Sequence, residues 1–575
     1  MTQKRTHRTL LGIAAAAVLI ATACAPSGGP SASSSSSSAA TQETPVAGGR
    51  VIRGSFSDIR VLNPVVSTDA TSTQVISLMY DTLLNVDPKT GNPLPWMGKW
   101  TVSADNQTFS WEIDAKANWS DGKPVIAEDF LARAKATARS KLTTQKSNWA
   151  DVEGFNDYRD GKATAISGIT IDSANPKKFT VHFTRSFCPA LLQVFGSAPI
   201  PAHVFGKYTV DNDPSKNIDT APENAAPTAV SGPFKFKEWR KGDQVILGRN
   251  DGYWRGAPYL DEFVQKVVAD TTVQAAQLKT GELTLGAIQP GDYDDLSKSD
   301  NLKLYEWKDN GYVYLGWRLN NPNVPFLQDK RIRQALAYGL DMSQVVTSVV
   351  LGHGEKQIYH TPSVSWASPG TTGFNDYKFD APKAEQLIKD AGYTKGSDGF
   401  YAKDGKTLGW TIVTNQGNKT RETFLQVAAE QYKKIGVKIN PKVEDFTTLV
   451  PKLTSGSNEI ETIIIGWQLG TDPDLFSIWH SSNIARADQA GNNFVGYNNP
   501  DLDKLIEQAR VGNCSQDARK TLYSQANKIL NEDQPYNFGF SQNRILATDK
   551  RIRGIEPGSF SPDATWNVEK WWIKP

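Results

Sequence analysis

The chain has 575 residues, 63 Lys and Arg against 61 Asp and Glu, a formal charge of +2 and 39% hydrophobic residues. A chain of this length outgrows one hydrophobic core and is expected to form two or three lobes. Near-neutral charge without basic blocks argues against a nucleic-acid partner, and histidines without H-x-x-x-H or C-x-x-C spacing argue against a metal site.

At the N-terminus, Lys4, Arg5 and Arg8 precede an apolar run from Leu10 to Ala23, followed by Cys24. The run is short of the roughly twenty residues that span a bilayer. With its basic flank and small-residue end it reads as a cleavable export signal over residues 1–23. Two readings of the site stand. Cys24 directly after Ala21-Thr22-Ala23 suits a lipoprotein, anchored to the bacterial cell membrane through that thiol, whereas Ala-Thr-Ala also suits ordinary signal peptidase and soluble secretion. Residues 24–46 are dominated by Ser, Ala, Gly and Pro, cannot bury a core and read as a flexible tether. Loss of the leader turns the formal charge from +2 to about −1.

The body reads as mixed α/β. Thr108–Ile113, Phe179–Phe183, Phe234–Trp239 and Gln244–Gly248 read as short strands broken by turn residues such as Lys241-Gly242-Asp243. From Asp329 to Leu340, Ile332, Ala335, Leu336 and Gly339 share one helical face, with Asp329 placed to cap it. A second helix, Arg421 to Ile435, ends at Gly436 and is followed by the strand-like Val437-Lys438-Ile439. A third follows Asn499-Pro500. Cys188 and Cys514 stand either as one disulfide or as two buried thiols.

Several ordered motifs resemble one family. They are Leu62-Asn63-Pro64, Tyr80-Asp81-Thr82-Leu83, NWSDGKPVIAEDF at 118–130, Ser231-Gly232-Pro233-Phe234, RNDGYWRGAPYLDEF at 249–263, PFLQDKRIRQALAYGLD at 325–341, Gly466-Trp467 with Asp472-Pro473-Asp474, and Gly496-Tyr497-Asn498-Asn499-Pro500. Together they resemble the family 5 extracellular solute-binding proteins, receptors of dipeptide and oligopeptide ABC importers. The resemblance implies a two-lobed, periplasmic-binding-protein-like α/β fold with a hinge and an extra inserted domain. By motif order, domain I comprises 47–80, 190–308 and 535–575, domain II 81–189 and domain III 309–534. It further implies a monomer without cofactor or catalysis, which closes on a peptide between domains I and III and hands it to ABC permease and ATPase subunits outside the cytoplasm.

By motif offset, the same resemblance puts Thr68, Asp69 and Ala70 beside the ligand, Trp467 and the adjoining Gln468 in a pocket wall, and Asn415 and Thr420 at a strand end and helix start facing the cleft. Asp69 as a helix-start residue and Trp467 as core are the plain alternatives. Two departures stand out. The acid that commonly binds the ligand's amino group shortly after Gly-Trp is missing, the first one being Asp472, which reads equally as a helix cap. Before Gly466, where some relatives carry a base for the ligand carboxylate, stand Ile463, Ile464 and Ile465. Peptides longer than three residues, held by their backbone, are therefore expected. Receptors for oligosaccharides, nickel chelates or other small polar solutes are the alternative.

Ser120-Asp121-Gly122-Lys123, Lys279-Thr280-Gly281 and Ser299-Asp300-Asn301 imitate the motifs of serine acyl-transfer enzymes, but in the wrong order. Asp404-Gly405 reads as a hairpin turn rather than part of a phosphate loop.

Overall fold

The computed structural model describes residues 43–209 and 217–575, so the export leader, Cys24 and most of the tether lie outside the described residues. Pro45–Pro575 forms one unit.

Local sequence explains the helices that matter for the site. Asp69 caps Ala70–Met79 through Ser72 N–H, and Asn418 caps Lys419–Lys434 through Arg421 N–H. Asp329 caps Lys330–Tyr338, and Asn499 caps Pro500–Arg510 with proline in the first turn, where its missing N–H is harmless. Gly436 follows the Lys419–Lys434 helix at φ +76°, a left-handed conformation that glycine adopts without steric cost. Asp404 and Gly405, both at positive φ, turn the chain between the antiparallel strands Tyr401–Lys403 and Lys406–Thr407.

Two large sheets organise the body. In the first, seven strands run in the order Leu302–Trp307, Arg544–Asp549, Leu285–Ala287, Arg50–Ser55, Glu262–Val267, Gln244–Arg249 and Phe234–Arg240. In the second, six strands run Gly354–Lys356, Tyr536–Gln542, Gly311–Trp317, Thr462–Gln468, Gly409–Asn415 and Lys438–Glu444. Gly409–Asn415, the Lys419–Lys434 helix and Lys438–Glu444 make a parallel crossover unit, the arrangement that helix, glycine and strand imply in the sequence. A smaller four-stranded sheet, Gly98–Val102, Thr108–Ile113, Lys178–His182 and Ile169–Ile171, is inserted after the first helix.

The two large sheets have separate cores. Trp111, Phe130, Phe179 and Phe195 of the small sheet's surroundings share one buried cluster with Val51, Phe234 and Phe263 of the seven-stranded sheet. The other large cluster draws its buried residues from between Tyr312 and Phe540. The chain passes between these lobes twice, at 308–310 between Trp307 and Gly311 and at Asn543 between Gln542 and Arg544. The return therefore lies at 543 rather than at the expected 535, because Tyr536–Gln542 pairs with Gly311–Trp317 in the six-stranded sheet. Away from both crossings, a disulfide joins Cys188, beside Phe187 of the first core, to Cys514 of the second lobe.

Candidate functional site

Between the lobes lies a cavity of about 750 Å³, within the roughly 300–1,000 Å³ common for ligand sites. Extended backbone at Arg53–Ser55 forms part of the first-lobe wall, and Ile465–Gln468 part of the second-lobe wall. The lobes meet around it. Lys419 Nζ pairs with Asp270 at 3.2 Å, Thr420 Oγ1 donates to Gln289 Oε1 at 2.5 Å, and the rings of Phe56 and Phe446 meet edge to face at 5.4 Å. At Gly417, a Cβ would lie 2.1 Å from the Ala269 carbonyl oxygen, so this approach of the lobes requires glycine.

Thr68, Asp69, Ala70, Thr420, Trp467 and Gln468 all line this cavity. Asp69 is also the helix cap, its two oxygens accepting from Ser72 N–H at 2.8 Å and Ser72 Oγ at 2.9 Å. Burial raises its carboxyl above the usual range, opposed by those bonds and by Arg60. Thr68 Oγ1 accepts from Arg60 Nη1 at 3.1 Å. Trp467, half-buried, stacks on Phe494 at 4.9 Å and on Tyr314 at 6.1 Å, and its Nε1 donates to Tyr536 Oη at 3.3 Å. Pocket wall and core packing are thus both properties of one ring. Gln468 sits at the crossings, where its Nε2 donates to Asp309 Oδ1 at 3.1 Å and its Oε1 accepts from Arg544 Nη2 at 2.7 Å.

Two residues fall outside the cavity lining. Asp472 is held by Arg519 through two bonds of 2.8 and 2.6 Å, and its Oδ1 also accepts from Asp474 N–H at 3.1 Å. An aspartate so placed closes a local turn and an ion pair. Asn415 is fully buried behind the wall, where its Oδ1 accepts from Arg421 Nη1 at 2.7 Å.

Arg421 itself is a cavity residue that motif reasoning passed over. Its guanidinium occupies the space above Gly466, where a Cβ would lie 2.9 Å from Nη2. A base therefore approaches the Gly466 strand from the helix beside it, while Ile463, Ile464 and Ile465 are buried in the core. The first signal was its place in the opening turn of the helix, one residue after Thr420. Arg53 and the C-terminal stretch containing Phe560, Asp563, Trp566 and Glu569 also line the cavity. Nothing local marks them, since the fold's return from the second lobe brings the C-terminal stretch there. Asp81, also lining the cavity, is pushed up to about 6 by burial, although Tyr253 Oη and Trp254 Nε1 donate to it at 2.9 and 2.7 Å.

The enzyme-like triplets have structural roles. Ser120 Oγ accepts from Val230 N–H at 3.2 Å, Gly281 ends the Thr271–Thr280 helix at φ +81°, and Asn301 Nδ2 donates to the carbonyls of Leu278 and Lys279 at that helix end.

Residues 94–487 match the model of the bacterial extracellular solute-binding proteins, family 5. The chain is 30% identical over 537 residues to the oligopeptide-binding protein AppA of Bacillus subtilis, covering 92% of both chains. The structure of that AppA in complex with a nonapeptide superposes with a TM-score of 0.83 at 28% identity, covering 92% of this chain and 100% of AppA. NikZ from Campylobacter jejuni, solved with Ni(L-His), shares the fold at a TM-score of 0.78 and 24% identity, over 91% of this chain and 99% of NikZ. With two separately cored lobes around a lined cavity, and a family match over most of its length, this chain belongs to family 5 of the bacterial extracellular solute-binding proteins.

Proposed function

We propose that this protein is the receptor of an ABC importer, capturing peptides of more than three residues in the interlobe cavity and releasing them unchanged to membrane permease and ATPase subunits. The observation that carries the reading is the cavity, walled by extended backbone from both lobes and closed by contacts such as Lys419–Asp270. Backbone pairing with an extended peptide gives affinity without reading every side chain, and closure is favoured by ligand contacts that the open form lacks. Similarity to AppA, whose structure holds a nonapeptide, supports the same class of ligand.

The receptor acts as a monomer without catalysis, in three domains whose last boundary falls at Asn543. It works outside the cytoplasm, tethered to the cell membrane by a lipid on Cys24. Cys24→Ser is expected to move the protein from membrane to medium; unacylated wild type already in the medium contradicts the anchor.

Binding is tested by calorimetric titration with peptides of two to nine residues. A bound peptide at a hundred times its Kd adds about 2.7 kcal/mol of stability and is recovered intact. Failure of every peptide points to a non-peptide solute. Turnover that survives repurification and vanishes in Ser120→Ala contradicts the receptor reading.

A further inference from the structure

The two sides of the cavity are held by contacts of unequal strength. On one side the lobes meet through Lys419 and Asp270, whose side chains are 47% and 43% exposed, through Thr420 with Gln289, and through the rings of Phe56 and Phe446. An exposed ion pair contributes little and is screened by salt. This side also lies far from the crossings. Asp270 follows Glu262–Val267, the fifth strand of the seven-stranded sheet, whereas the crossing strand Leu302–Trp307 is the first, a separation of roughly 19 Å at about 4.8 Å per strand.

The other side begins at the crossings themselves. From Gln468, bonded to Asp309 and Arg544, the chain runs to Thr471, which packs so closely on the inserted region that a Cβ at Gly91 would lie 2.5 Å from its Cγ2. Further along, Asp474 Oδ2 accepts from Gln193 Nε2 at 2.8 Å. Arg510 pairs with Asp474, both side chains no more than 2% exposed, and its Nη2 donates to the Ser147 carbonyl at 3.3 Å while its guanidinium lies 4.7 Å from the Phe187 ring centre. Cys188–Cys514 closes the row. A disulfide does not let its two Cα atoms part beyond about 7 Å, and here they are 5.0 Å apart.

We infer that the row from Gln468 to Cys188–Cys514 is a covalently pinned fulcrum, so that the receptor opens on one side only, where Lys419 leaves Asp270, and its solute enters and leaves there. The inference deepens the peptide-capture reading and rests on it for the solute. Hinge motion is absorbed by a few residues at element ends, here 308–310 and Asn543, and the pinned row sets the direction of the rotation that those residues permit. Segments held by few buried contacts separate first, which is the Lys419 side. Two adjacent crossings alone would also allow twisting and symmetric opening; the disulfide excludes both.

The experiment measures distances across both sides by pulsed electron paramagnetic resonance. Nitroxides are attached through ketone-bearing residues, which leaves the disulfide intact, at Val273 with Val443 and at Thr184 with Asp517. Val273, near Asp270, and Val443, in the strand beside Gly409–Asn415, are exposed and flank the Lys419 side. Thr184 and Asp517, exposed near Cys188 and Cys514, flank the other. In protein refolded from denaturant with its disulfide intact, and so free of solute, the Val273–Val443 distance is expected to be broad and to shorten by more than about 2 Å when a peptide that binds in the titrations is added. The Thr184–Asp517 distance is expected to stay narrow and unmoved. In Cys188→Ser with Cys514→Ser it is expected to broaden and lengthen without solute. If that variant fails to fold, folded wild type reduced by a water-soluble phosphine replaces it.

A Thr184–Asp517 distance that lengthens together with Val273–Val443 in the oxidised protein overturns the fulcrum, as does one that stays narrow once the disulfide is gone. A peptide that binds without moving either distance overturns one-sided opening and leaves peptide capture standing. If no peptide binds, peptide capture falls, and the solute-free distances decide alone: a broad Val273–Val443 beside a narrow Thr184–Asp517 upholds the fulcrum, and equal widths overturn it.

Discussion

Asp472 and Arg519 form a two-pronged ion pair, with Nη1 and Nη2 at 2.8 and 2.6 Å from the carboxylate oxygens and both side chains no more than 7% exposed. Arg519 also donates to Tyr523 Oη at 2.6 Å and to the Ala509 carbonyl at 3.0 Å, so the pair holds the loop after Trp467 to the helices behind it. Asp472→Asn is expected to lower unfolding free energy by about 3–5 kcal/mol, as removal of one partner of a buried pair does. It is not expected to change the cost of acetylating a peptide's amino group. Denaturant unfolding and paired titrations measure the two effects. An acetylation penalty that Asp472→Asn abolishes contradicts the structural role.

Trp467 serves the cavity and the stack at once. Trp467→Ala is expected to weaken peptide binding by about 1–3 kcal/mol and also to reduce stability, because Phe494 and Tyr314 lose the ring between them. Trp467→Phe retains an aromatic face and loses only the donor to Tyr536, so it is expected to recover most of both losses. Calorimetry together with denaturant unfolding separates the two roles. Unchanged affinity in Trp467→Ala removes the ring from the ligand's surroundings.

Asp81 makes stability depend on pH. Its folded-state pKa of about 6, raised by burial, lies above the unfolded value, near 3.9. Its contribution is therefore full below pH of about 4 and is lost as pH rises through about 6, an effect of about 3 kcal/mol. Asp81→Asn preserves an acceptor for Tyr253 and Trp254 and is expected to flatten that part of the profile. Unfolding free energies at pH 4.5 and 7.5 check it; an identical slope in wild type and variant contradicts it.

The Cys188–Cys514 bond stands in a dense contact between the lobes. Cys188 N–H donates to the Arg510 carbonyl at 2.8 Å, Arg510 pairs with buried Asp474 at 3.2 Å, and Gln193 Nε2 donates to Asp474 Oδ2 at 2.8 Å. Cys188→Ser with Cys514→Ser is expected to cost about 2–4 kcal/mol of stability. Hydrogen exchange is expected to rise at Cys188 and around Arg510 in the ligand-free variant while the oxidised wild type stays protected there. Equal exchange in both contradicts a covalent restraint on lobe movement.

Much of the fold was legible because its signals are local. Asp329, Asn499 and Gly436 mark helix ends within a few residues of the elements they bound, and Asp404-Gly405 marks its hairpin in the same way. The site was legible only in part. Thr68, Asp69, Thr420 and Trp467 line the cavity, but Asp472 and Asn415 differ from their wall neighbours by which partner reaches them, Arg519 and Arg421 respectively. The lobe return was misread by eight residues because strand pairing, which assigns Tyr536–Gln542 to the second lobe, is non-local. Arg53 and Trp566 are far from Trp467 along the chain, and only tertiary packing brings them to one cavity.

Peptide capture is tested most directly by native mass spectrometry of receptor purified without denaturation, followed by release and sequencing of what it carries. Bound masses are expected to resolve into unmodified peptides of more than three residues. A non-peptide solute, dipeptides alone or chemically altered products in the bound fraction would contradict it.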